Sequence, residues 1–98
     1  MRNLLLALAT AGCSSALTVP EAGHVDRVRS DWPGTALDDL ARGRATYIQK
    51  CSGCHTLYLP PSRSGSEWRE QVARMAERAH LTASQTSDIT RYLVAVAP

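Results

Sequence analysis

The chain contains no phenylalanine; its aromatic side chains are two tryptophans and three tyrosines in 98 residues. A single small domain built from this composition has a weak apolar core unless something large and apolar is buried with it. Cysteine is scarce too, at three. Two of them form one Cys-x-x-Cys pair with no second pair downstream, which argues against a four-ligand zinc site. No apolar run is long enough to cross a bilayer as a helix. Neither charge sign dominates: 11 basic against 9 acidic residues give +2. No basic stripe with interleaved aromatics occurs, so nucleic-acid binding has no support. Also missing are a Ser/His/Asp constellation, paired carboxylates beside the cysteine pair, and a phosphate loop, so nothing marks the chain as an enzyme. No segment shows sustained strand alternation, and the fold class expected is all-α. No internal repeat is visible.

What is present begins with an export pattern. Arg2 is a minimal positive region, Leu4 to Ala9 an apolar stretch, and Thr10-Ala11-Gly12 a small-residue cleavage region. Residues 1–12 therefore read as a signal peptide and place the chain in the periplasm. Cys13 is the odd cysteine. Ala11-Gly12-Cys13 resembles the end of a bacterial lipobox, which implies a lipid anchor at Cys13. Thr10 departs from that pattern, where an aliphatic residue is usual, and Ser14-Ser15-Ala16 offers an ordinary cleavage site instead. Residues 13–34 are polar or small, end in Trp32-Pro33-Gly34, and read as a tether. Residues 35–98 form the domain.

Three helices are expected in that domain. The first starts at Thr35, with Asp38 as its capping-box partner, and places Leu40, Gly43, Tyr47 and Cys51 on one face at helical spacing. A loop from Thr56 to Gly65 holds Pro60-Pro61. The second helix opens near Ser64 or Ser66 and runs to about His80, with Trp68, Val72, Met75, Ala76 and Ala79 as its buried stripe. The third opens on Thr82 and Gln85 in capping-box spacing and gathers Ile89, Tyr92, Leu93 and Val96.

Cys51-Ser52-Gly53-Cys54-His55 is the pattern that attaches haem c. Two thiols three positions apart can each form a thioether to a porphyrin vinyl group, and the adjacent histidine can ligate the iron from the proximal side. A thioredoxin-like motif would need a preceding strand and a βαβ frame, both absent. The stretch from Gly43 through Tyr47 to His55 closely resembles the N-terminal helix of class I-like cytochromes c. That family has a glycine where the C-terminal helix crosses closely and an aromatic that packs on a tyrosine or tryptophan of that helix. Gly43, Tyr47 and Tyr92-Leu93 match those positions. The resemblance spans about Leu37 to Ala97 and implies a small cytochrome c fold, three main helices around one covalent haem c.

The sixth iron ligand decides the chemistry, since a thioether raises the potential and an open site invites small ligands. Met1 leaves with the signal, so Met75 is the internal methionine and the expected distal ligand. Plain core packing is the alternative for a methionine on an apolar stripe. His80 is a rival, five positions on and turned away on a helix, and His24 would need the tether to fold back. The carbonyls near Leu59 and Pro60 are candidates to accept from His55 Nδ1–H. Trp68 could border a propionate through its indole N–H, with core packing as the default. The resemblance implies an electron-transfer protein, not an enzyme, working with redox partner proteins as a monomer or as a subunit of a larger redox complex. A five-coordinate haem protein that binds a small ligand or acts as a peroxidase is the alternative.

Overall fold

The computed structural model describes residues 17–51 and 57–98. Residues 1–12, expected to be a signal segment, and Cys13, Cys54 and His55 lie outside them. The described residues are all-α: α1 is Ala22–Val28, α2 Leu37–Cys51, α3 Gly65–Met75 and α4 Ala83–Val96, with a short 3-10 turn at Pro60–Ser62 between α2 and α3. Among the described residues there is no strand, and no helix is long and apolar enough to cross a membrane.

The frame is the crossing of α2 and α4. Leu40, Ile89, Tyr92 and Leu93 are fully buried there, each contributing roughly 1.5–3 kcal/mol by leaving water. Gly43 makes the close approach possible. A Cβ at this position would collide with the backbone carbonyl of Asp88 and lie 2.8 Å from the Tyr92 Cβ. Glycine in a helix interior costs roughly 1 kcal/mol relative to alanine, and here that cost is offset by letting two helix backbones touch. The face of Leu40, Gly43 and Tyr47 is buried as its spacing requires.

An ion network covers the edge of the crossing. Arg42 Nε donates to Asp88 Oδ2 at 2.9 Å, and its Nη2 reaches Asp39 Oδ1 at 2.7 Å. Arg91 lies 3.6 Å from both Asp39 and Asp88. A backbone hydrogen bond from Ala36, followed by the bond from Arg42, holds the Asp39 carboxyl below its ordinary value. Asp88 is the buried member, and its carboxylate is tolerated because two guanidiniums face it.

The helix ends follow their capping chemistry with one shift. Ser64 with Glu67, and Thr82 with Gln85, form reciprocal capping boxes on α3 and α4. On α2 the box is displaced by one residue from the one expected at Thr35 and Asp38. Asp39 Oδ2 accepts from the Ala36 N–H at 2.8 Å, while the Thr35 hydroxyl donates to the Trp32 carbonyl at 2.6 Å. The α-helix of α3 also stops at Met75 rather than near His80. Its last turns close in a Schellman pattern, with Leu81 N–H on the Ala76 carbonyl and His80 N–H on Glu77. His80 stands at the left-handed position, φ 57°, normally given to glycine.

The segment expected to be a tether is, over its described part, a folded strap. Leu17, Val25 and Val28 are buried. The Tyr92 hydroxyl donates to the Thr18 carbonyl at 2.6 Å, and Arg44 Nη2 donates to the Leu17 carbonyl at 3.2 Å. Glu21 N–H donates to His24 Nδ1 at 2.9 Å and starts α1. Polar composition alone could not reveal this, because tertiary contacts from α2 and α4 hold a helix of seven residues that would be unstable in isolation.

Candidate functional site

The end of α2, the 57–60 strand of loop, α3 and α4 leave an apolar cleft between them. It encloses about 590 Å³ of empty space, its solvent-facing side included. Tyr47 and Cys51 come from α2, Leu57 and Tyr58 from the loop. Trp68, Val72 and Met75 form the α3 wall, and Ile89 of α4 closes the floor with Leu81 beside it. Cys51 is the last residue of α2 and half-buried, and Met75 is the last residue of α3 and likewise half-buried. Two residues far apart in sequence thus share one cleft. The expected site residues Cys54 and His55 lie outside the described residues, so their contacts are not part of this geometry.

The α3 wall is fixed from behind. Trp68 is 2% exposed, and its Nε1–H donates to the Pro60 carbonyl at 2.9 Å. The indole N–H is therefore engaged by the loop, which answers the propionate alternative in favour of core packing. Tyr47 meets Trp68 edge to face, with ring centroids 6.0 Å apart and planes at 81°, so the aromatic of α2 finds its ring partner on α3. The Tyr47 hydroxyl donates to the Tyr58 carbonyl. Burial pushes the Tyr47 phenol above its ordinary value, with Cys51 and Tyr92 adding to the effect.

The proline loop is committed to its own structure. The Leu59 carbonyl accepts from both the N–H and the hydroxyl of Ser62, at 2.9 and 2.7 Å. The Pro60 carbonyl takes the indole. The two carbonyls considered as acceptors for His55 thus already have partners. His80 is exposed and His24 is tied to Glu21; neither lines the cleft. Arg74, the nearest candidate for a polar group beside Met75, is exposed and donates to Gln71 Oε1 at 3.0 Å on the surface.

Several cleft residues were not singled out from the sequence. Gln71 stands four positions before Met75 on α3, Arg78 lies in the turn after it, and Lys50 directly precedes Cys51. Helical spacing would have found Gln71, whereas Arg78 reads as a solvated charge and is exposed. Leu57 and Leu81 come from connecting segments, where no period exists to read.

No family model, curated protein or solved structure matches the chain. The chemistry of the cleft must therefore be argued from its own residues. A half-buried cysteine and a half-buried thioether are soft sulfur groups, and the rest of the wall is mainly aromatic and aliphatic, with Lys50, Gln71 and Arg78 as its polar members. Such a wall suits an apolar group. Among the described residues no cluster of His, Cys, Asp or Glu could hold a bare metal ion.

Proposed function

We propose that this chain is a monohaem c electron-transfer protein. Cys51 and Cys54 carry the thioethers, His55 is the proximal iron ligand, and Met75 is the distal one. The observation that carries this reading is the shared cleft, in which the first cysteine of the Cys-x-x-Cys-His motif and the sole methionine after the signal line one apolar cavity. When bound, the haem supplies a one-electron iron couple.

The chain's own residues do the rest. Trp68, Val72 and Ile89 exclude water from the interior side of the cleft and lower the local dielectric. The Schellman closure after α3 and the Trp68–Pro60 bond hold Met75 in place, so a thioether ligand would need little rearrangement between oxidation states. A rigid, dry surround of this kind favours electron transfer over ligand chemistry. Three helices, α2, α3 and α4, would enclose the group in a small cytochrome c fold, with α1 and its flanks strapped across the crossing. The chain would work in the periplasm, with Cys13 as its lipid anchor and redox proteins as partners, free or within a larger complex.

The test is the intact mass and colour of the protein exported by a host that matures c-type cytochromes. The expected result is a red protein heavier than its polypeptide by one covalent haem, with Cys51→Ser reducing that attachment. A colourless protein with alkylatable thiols at Cys51 and Cys54 would exclude the reading.

A further inference from the structure

Three arginines bury an Nε–H that has no hydrogen-bond partner: Arg44, Arg63 and Arg91. The first and last of these differ from the middle one. Arg91 has Asp39 and Asp88 at its terminal nitrogens, and Arg44 donates Nη2 to the Leu17 carbonyl. The Arg63 guanidinium makes no hydrogen bond or ion pair among the described residues. It lies 4.6 Å from the centre of the Tyr58 ring and 5.4 Å from the Trp68 ring. Both rings line the cleft.

The nearest acid is otherwise occupied. Glu67, four positions on, accepts the Ser64 N–H at Oε1, 2.8 Å away, and completes the α3 cap. Arg63 is thus a cation held by two aromatic walls beside an apolar cleft, with its hydrogen-bonding capacity unspent. A guanidinium stacked on rings keeps its planar fork of donors available, and the partner that fork matches is a carboxylate. Nothing in the described cleft walls provides one, because the polar residues there are Lys50, Tyr58, Gln71 and Arg78, together with the Tyr47 hydroxyl already given to Tyr58.

We infer that Arg63 binds a propionate carboxylate of the haem, and so orients the macrocycle between α2 and α3. The inference rests on the haem reading above. Arg63 is then a cofactor-binding residue that also holds the propionate ionised. Lys50 and Arg78 are the other charges on the cleft walls, and Glu67 is the acid beside Arg63; the first two would act on the carboxylate in the same sense and the third in the opposite one.

The experiment is the reduction potential of the holoprotein as a function of pH, for the parent, Arg63→Met and Arg63→Lys. Ionisation of a propionate stabilises ferric over ferrous iron, so the potential falls as pH rises through its pKa. Removing the neighbouring cation should move that fall upward by about one pH unit in Arg63→Met, while Arg63→Lys keeps most of the parent curve. Methionine preserves the aliphatic packing on Tyr58 and Trp68, so a merely structural arginine would leave the curve unmoved. Arg63→Gln gives the same reading should the methionine variant fail to fold. As a control, Arg69→Met, which removes the surface pair with Asp31, should match the parent. A red holoprotein whose Arg63→Met and Arg63→Gln curves superimpose on the parent overturns the inference alone. A preparation without covalent haem overturns the haem reading and the inference with it.

Discussion

The α2–α4 crossing and the cleft share helix α2, yet they end in opposite states. At the crossing every space is filled: Gly43 lets the Asp88 backbone and Tyr92 approach, Leu40 and Ile89 are wholly buried, and the edge is sealed by paired charges. Just over two turns further along α2 from Gly43, the walls spread, and Cys51 and Met75 line the same apolar cleft. The crossing satisfies itself. The cleft leaves aromatic and sulfur-bearing side chains at its wall that would gain from being covered. The contrast separates residues that make the fold from residues that line the cleft.

The largest way to break this comparison is at Gly43. Gly43→Val should destabilise the protein by about 3 kcal/mol or more, because the backbone of α4 must move to admit the side chain. Urea unfolding of the holoprotein would measure it. The loss should appear even at positions of the chain far from the cleft, and a change below about 0.5 kcal/mol would mean the helices do not cross where described.

A smaller effect, of the opposite sign, is expected at His80. A non-glycine residue in the left-handed region costs roughly 1 kcal/mol, so His80→Gly should raise stability by about 0.5–1 kcal/mol, read as a higher urea midpoint. The optical spectrum and potential should stay the same, since His80 is exposed and off the cleft walls. A spectral change would instead make His80 an iron ligand.

The sequence exposed the crossing more fully than the cleft, for physical reasons. Gly43 and the stripe Ile89, Tyr92, Leu93 and Val96 follow helical periodicity, and that periodicity survives into the fold because burial enforces it. The Thr82–Gln85 box is local chemistry and was equally legible. The strap at residues 17–34 was not, because its helix holds only two buried apolar residues, Val25 and Val28, and depends on acceptors offered to Tyr92 and Arg44. Thr35 misled because its hydroxyl serves the preceding turn while Asp39 closes the helix start. Tyr47 was expected to meet an aromatic of the C-terminal helix, and its ring partner is Trp68 of α3; only tertiary structure decides which helix supplies that edge. In the cleft, Met75 was legible as the internal methionine on the apolar stripe with Trp68 and Val72, and it lines the cleft wall, whereas Arg63 carried no periodic signal. Its stacking on Tyr58 and Trp68 is visible only once neighbouring side chains are in place.

The central claim is that the cleft between Cys51 and Met75 seats the iron with the methionine on its distal face. The most direct measurement compares the spectrum and reduction potential of the holoprotein with those of Met75→Ala. Loss of the thioether ligand should abolish the weak far-red band of methionine-ligated ferric haem, lower the potential, and open the ferrous iron to carbon monoxide. A Met75→Ala protein with the parent's spectrum, potential and indifference to carbon monoxide would contradict the account.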